Sequence, residues 1–282
     1  MTSQPQNRTQ NSPHNRLGIE MLTLLGMPPV DHIRLAGELG CVSISTGLMR
    51  LPMAMFGREE LYPEWSLLND PALRQDVKAA LADTGVHIGL GEGFRVAPDL
   101  DVQSFAPQLD VFAELGTWRI NAISTEPDQS RAIDQFGQLS DMVLDRGMRF
   151  LVEFAPPHAL NNAESALVVA DALGHDRCGM MVDAMHFFRS GGTVEQIAAL
   201  PVLYAQMCDA PLVSPGVSYM EEAMFQRQIP GEGEFPLREW VAALPADCEI
   251  GLEVPQIAAL ENGGSARDHA ARAVKAARAL GA

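Results

Sequence analysis

"RFLVEFAPPHALNNAESALVVADALGHDRCGMMVDAMH" runs from Arg149 to His186 and decides the fold. Arg149–Pro156 is an apolar run that suits a buried strand. Ala163–Gly174 spaces its apolar residues helically and ends on a glycine placed as a C-terminal cap. Cys178–His186 is a second apolar run. Two buried strands joined by a helix of this length lie parallel, the helix carrying the chain back over the sheet. Two residues break the apolar pattern, Glu153 and Asp183, each near the end of its run. A carboxylate there is costly unless something pairs with it.

The same cadence repeats in both directions. Strands are expected at 17–22, 41–48, 86–94, 119–125, 149–156, 178–186, 203–211 and 249–256. Helices are expected at 28–40, 71–85, 101–116, 128–147, 163–174, 193–200, 236–244 and 265–280. Eight strand–helix units over this length match an α/β fold of the (β/α)8 TIM barrel type. An open doubly wound sheet is the competitor. No glycine-rich phosphate fingerprint follows the first strand, which counts against its dinucleotide-binding version. Residues 1–16 are polar and read as a disordered tail, leaving 17–282 as a single barrel domain. Met49–Asp70 and Leu212–Phe235 are longer than ordinary connections. Both follow strand C-terminal ends, where barrel sites are built, so they are expected to act as lids.

Composition narrows the class. The 282 residues carry 36 acidic against 20 basic side chains, a formal net charge of -16. That surface repels phosphate backbones, so nucleic acid is not an expected partner. No apolar run approaches the ~20 residues of a membrane span. The four cysteines stand singly in apolar contexts, as reduced buried cysteines do. A soluble, cytoplasmic protein acting on a small molecule is expected, with homo-oligomerisation open.

Polar residues that end barrel strands share one mouth. Glu153, Asp183, Gln206 and Glu253 end strands 5, 6, 7 and 8. Three converging carboxylates without a counter-charge repel and take up protons, and one divalent cation resolves the conflict. The donors offer only oxygen, which favours Mg²⁺ or Mn²⁺ over zinc. Glu92 also ends a strand, and Trp65 in the first lid is a candidate pocket wall.

The strings "VEFAPP", "MMVDAMHFFRSGG", "AQMCDAP", "RQIPGEGEFPL" and "IGLEVP" resemble the sugar phosphate isomerase/epimerase family of xylose isomerase-like barrels. The resemblance implies that Glu153, Asp183, Gln206 and Glu253 hold one metal ion. It also implies that His186 and Arg227 contact substrate. Epimerases of the family usually carry histidine where this chain has Gln206, a feature it shares with the dehydroshikimate dehydratase branch.

The reading that follows is a divalent-metal-dependent isomerase or epimerase acting on a hydroxy-ketone through an enediolate. Glu153, Glu253 and His186 are its catalytic candidates; Arg227, His186, Glu92 and Trp65 are its substrate contacts. A lyase of the 3-dehydroshikimate dehydratase type is the alternative, and a non-catalytic metal-binding barrel a third.

Overall fold

The computed structural model describes residues 15–261 and 264–282; residues 1–14 of the expected tail lie outside them. Asn15 and Arg16 belong to the folded part. Asn15 donates to the Gly40 carbonyl at 3.0 Å. The Arg16 carbonyl accepts from Ile250 N at 2.8 Å, and its guanidinium donates to Pro245 O at 2.7 Å.

The eight strands are β1 Leu17–Ile19, β2 Ser43–Thr46, β3 His87–Val96, β4 Arg119–Ser124, β5 Arg149–Glu153, β6 Cys178–Asp183, β7 Val202–Met207 and β8 Glu249–Leu252. They pair in chain order, and parallel pairing of β1 with β8 closes the barrel. The α-helices are α1 Pro29–Glu38, α2 Pro71–Thr84, α3 Ala106–Glu114, α4 Gln129–Leu144, α5 Ala163–Leu173, α6 Ala184–Arg189, α7 Tyr219–Phe225, α8 Leu237–Ala243 and α9 Ala266–Leu280.

Local chemistry sets these boundaries. Asp70 caps α2 by accepting from Leu73 N at 3.0 Å, and Gly85 ends it at φ 72°, a left-handed conformation suited to glycine. Strand 6 was expected to continue to His186 but stops at Asp183. The Asp183 carboxylate accepts from His186 N at 2.9 Å and so opens α6. The stretch expected as a helix at 193–200 is a 3₁₀ turn, Val194–Ala199. α7 was not foreseen; it lies within the second long connection, capped by Ser218.

Alternation along the strands layers the barrel interior. The N-terminal end holds Glu249 between Arg119 and His87, with His87 Nε2 2.6 Å from Glu249. Above it Leu90, Leu151, Met181 and Tyr204 form an apolar floor. Two residues further along their strands come Glu92, Glu153, Asp183 and Gln206, so the floor side chains place the polar ones at the mouth. A second and larger core lies between the sheet and the helices, with Trp240, Phe136 and Phe112 fully buried in it.

The two long connections meet each other. Phe56 and Phe225 pack edge to face with centroids 5.2 Å apart. Arg58 bonds Glu221 at 2.8 Å while its guanidinium lies 4.3 Å from the Phe225 ring. Among the described residues no helix is long and apolar enough to cross a membrane. All four cysteines are buried and unpaired.

Candidate active site at the barrel mouth

The four strand-end residues do converge, together with Glu92 and three residues the sequence reading did not single out. Glu20 follows β1 and is fully buried. Asn121, on β4, donates to Glu153 Oε2 at 2.6 Å. Tyr204, on the floor of the mouth, donates to Glu20 Oε1 at 2.5 Å. Glu20 stands in "LGIEML", a carboxylate within an apolar run, which is the signal that identified Glu153. Nothing in "RINAIST" marks Asn121 apart from its position on a strand.

Asp183 has a counter-charge, which corrects the expectation that the converging acids lack one. Arg227 is only 2% exposed, and its Nη1 lies 2.5 Å from Asp183 Oδ2 and 2.9 Å from Glu253 Oε2. Its Nε donates to the Ala223 carbonyl at 2.8 Å, which anchors the guanidinium to α7. The loop after it is organised by buried Asp209, which accepts from Gly231 N at 2.8 Å and Phe235 N at 3.0 Å. A Cβ at Gly233 would stand 2.3 Å from the same carboxylate, so "PGEGEF" needs its second glycine to close.

On the opposite side of the mouth Glu20 occupies space left by β8. A Cβ built at Gly251 would fall 1.5 Å from Glu20 Oε1. Gln206 Nε2 donates to Glu20 Oε2 at 2.8 Å, but Gln206 Oε1 is buried with no partner, and so is Glu92 Oε1. Oxygen atoms of Glu20, Glu92 and Glu253 all lie within 4.8 Å of one another. Five carboxylates therefore face one arginine, and two bare acceptor oxygens stand among them. An all-oxygen set with excess negative charge fits a divalent cation.

Burial dominates the electrostatics. It pushes Glu153 up to about 8, helped by the charges of Asp183 and Glu92. It also raises Glu20 to about 8, with Glu92 adding to the effect. Burial likewise lifts Glu253 well above the usual carboxylate range, against the pull of Arg227. In Asp183 the balance reverses. Burial opposes its charge, yet Arg227 holds the carboxyl below its ordinary value. Burial lowers His186 to about 4, so it is neutral near pH 7.

His186 sits on the first turn of α6 with its two ring nitrogens engaged differently. Nε2 lies 3.6 Å from Glu153 Oε1, and Nδ1 lies 2.5 Å from the Tyr219 hydroxyl on α7. Trp65, expected at the pocket wall, is instead packed into the core with its indole N–H donating to the Gly26 carbonyl at 3.0 Å. Its ring stabilises the loop. A cavity of about 370 Å³ opens beside Glu92, lined by Met21, Leu48, Phe94, Phe105 and Phe112 among others. Its lining is largely apolar with Glu92, Arg50 and Gln108 as its polar side chains, as small-molecule pockets are built.

The profile of the xylose isomerase-like TIM barrel family matches residues 33–280. No curated protein matches. Among solved structures, the chain is similar to a xylose isomerase-like TIM barrel/4-hydroxyphenylpyruvate dioxygenase fusion protein at 20% identity and TM-score 0.72. That likeness covers 93% of this chain but only 41% of the fusion. It is similar to an IolI protein with a bound zinc atom at 16% identity and TM-score 0.74, over 94% of this chain and 97% of that one. It is also similar to D-psicose 3-epimerase from Clostridium cellulolyticum H10, in complex with D-tagatose, at 13% identity and TM-score 0.67, over 94% and 99% of the two chains. At these identities the likeness is one of fold.

Proposed function

The chain belongs to the xylose isomerase-like TIM barrel family, and from that premise we propose that it is a divalent-metal-dependent isomerase or epimerase of a hydroxy-ketone, a sugar or polyol derivative. The observation that carries the reading is the mouth itself: Glu153, Asp183, Gln206 and Glu253 around a buried arginine, with the Gln206 carbonyl oxygen bare. Those four residues would hold the cation, Mn²⁺ or Mg²⁺ by their oxygen chemistry. When bound, it supplies a Lewis acid for a carbonyl and its neighbouring hydroxyl.

The chain's own groups handle the protons. Glu153 and Glu253 stand on β5 and just past β8, on different sides of the mouth. One removes a proton beside the carbonyl and the other returns one to the opposite face. Asn121 orients Glu153 through its 2.6 Å hydrogen bond. His186 lies within a short reorientation of Glu153 and accepts from or donates to Tyr219, so it carries protons between substrate oxygens and the lid. Arg227 holds Asp183 charged through its ion pair and sets the position of Glu253 beside it. The paired long connections keep water from the reacting carbon.

The lyase alternative starts with the same proton loss. The Tyr219–His186 pair favours it to a degree, because a departing β-hydroxyl needs an acid and that pair supplies one.

Solvent deuterium separates the two. In D₂O, a panel of keto-sugars and keto-polyols incubated with Mn²⁺-loaded protein should yield one product or recovered substrate with deuterium beside the carbonyl. Glu153→Gln and Glu253→Gln should each abolish that uptake. If the panel gains no deuterium while dehydroshikimate is converted to an aromatic acid absorbing in the near ultraviolet, the isomerase reading is wrong and the lyase reading replaces it.

A further inference from the structure

The stretch "GLGEGF", Gly89–Phe94, sets glycines on both sides of Glu92, and the geometry of β3 explains two of them. Between the pairs Gly91↔Ile120 and Phe94↔Ala122 the register shifts, three steps on β3 against two on β4. Such a bulge re-aims the side chains around it. Gly93 takes φ 107°, a conformation suited to glycine. A Cβ at Gly91 would fall 2.7 Å from the Phe112 ring. The bulge seats Phe94 against Phe105 and Phe112, its ring centroid 5.0 and 5.7 Å from theirs. Glu92 stands between these rings and the mouth, with a carboxylate oxygen within 4.8 Å of those of Glu20 and Glu253. Its Oε1 is buried and has no partner.

The wall of the cavity beside Glu92 decides what can lie in it. Met21, Leu48, Phe94, Phe105 and Phe112 present apolar surface, and Met49, 54% exposed, belongs to the same lining. Arg50 is the one cationic side chain among the described residues that line it, and it is already engaged. Its Nη1 lies 2.6 Å from Glu60 Oε2 and donates to the Tyr62 carbonyl at 3.1 Å. A phosphate there would meet a paired cation and the Glu92 carboxylate, which repels it. The Gln108 amide nitrogen is taken up by the Ser104 and Phe105 carbonyls at 3.1 and 3.2 Å. A run of hydroxyls would therefore exchange water for carbon over most of its length. An apolar group gains on the same transfer. The cavity of about 370 Å³ also has room for one, since roughly 150 Å³ accommodates a benzene ring.

We propose that this cavity is the subsite for the far end of the substrate, and that the substrate is a hydroxy-ketone bearing an aryl or branched alkyl group there, in place of a phosphate or an unbroken polyol chain. The inference rests on the hydroxy-ketone reading and deepens it. Glu92 marks the border between the two halves of the ligand: its bare Oε1 accepts from a substrate hydroxyl at the mouth, and the apolar group lies beyond it against the rings.

Titration calorimetry on the Mn²⁺-loaded full chain, with deuterium uptake in D₂O read on the same samples, gives the test. The probes are hydroxyacetone, hydroxymethyl benzyl ketone, dihydroxyacetone phosphate and xylulose. The benzyl ketone should bind ~10- to 100-fold tighter than hydroxyacetone, the worth of burying an aromatic ring, and tighter than the other two. Phe105→Ser should lower that ratio about tenfold, with thermal unfolding confirming that it folds. If it does not fold, Gln108→Glu keeps the shape, sets a charge in the wall and should lower the ratio about threefold. A benzyl preference that falls in the folded variant supports the subsite. Equal affinity for benzyl ketone and hydroxyacetone, tighter binding of the phosphate or xylulose, or a preference that persists in the folded variant overturns it; deuterium uptake from any probe then leaves the proposed function standing. Preferential binding of the benzyl ketone with no deuterium uptake from any of the four keeps the subsite and overturns the proposed isomerisation. No binding by any of them overturns both.

Discussion

At position 251 a methyl group would meet Glu20 Oε1 at 1.5 Å and the Tyr204 hydroxyl at 2.7 Å, in a region where no neighbour can retreat into solvent. Gly251→Ala should therefore cost ~1–3 kcal/mol through forced displacement of buried groups. A lowered midpoint in thermal unfolding checks it, and an unchanged midpoint would mean that Glu20 moves freely. Tyr219 makes a different kind of contribution. Its hydroxyl lies 2.5 Å from His186 Nδ1, so it holds the ring's orientation without reaching the strand-end acids. Tyr219→Phe should lower kcat about tenfold and leave KM nearly unchanged, whereas His186→Ala should lose ~10²–10⁴ in rate. Steady-state kinetics would show Tyr219 to be mere packing if kcat stays put. His186 could be singled out in the sequence because it follows Asp183 by three residues in a string resembling the family's. Tyr219 could not, because its partner is 33 residues away in the chain.

The two long connections act as one element, since Arg58 of the first grips Glu221 and Phe225 of the second. These contacts are partly exposed, so the ion pair itself contributes little to stability. Its loss should instead free the connections. Arg58→Ala should raise KM several-fold, lower the unfolding free energy by under ~1 kcal/mol, and speed proteolytic cleavage near residues 212–218, as limited digestion would report. Equal cleavage rates in variant and wild type would separate the two connections. α1 offers a pH test remote from the mouth. His32 is 2% exposed on that helix, and burial lowers it to about 4 from an ordinary 6.5. A histidine kept neutral by folding stabilises the protein above about 6.5, and that contribution is lost as pH falls from there to about 4. The loss amounts to ~3 kcal/mol at most. Unfolding followed from pH 7 to pH 4 should show a smaller decline in His32→Gln than in wild type. Equal declines would assign the acid sensitivity elsewhere.

At the scale of the whole molecule the barrel trades stability for charge at its C-terminal mouth, while its N-terminal end neutralises Glu249 with Arg119 and places His87 in hydrogen-bond reach of it. Loading the mouth with Mn²⁺ should consequently raise the unfolding midpoint, through a gain of ~2.7 kcal/mol in unfolding free energy when free ion reaches a hundred times the dissociation constant. Chelator should reverse the gain, and a midpoint indifferent to both would exclude a cation from the folded mouth. The fold itself was legible without coordinates. Apolar runs alternating with helical patterns are local signals, and eight of them in about 265 residues leave little choice but a closed parallel barrel. The carboxylates at strand ends were legible for the same reason, each being out of place in its own apolar run. What the chain's order could not disclose was pairing across the barrel. Arg227 reaches Asp183 over 44 positions, and Glu20 reaches Tyr204 over 184, into a space that exists only because residue 251 lacks a side chain. Trp65 had the composition of a pocket wall and became core, because its indole N–H found the Gly26 carbonyl. Strand and helix are written in spacing along the chain; charge partnership and the aim of each side chain are set by which staves the closed sheet makes neighbours.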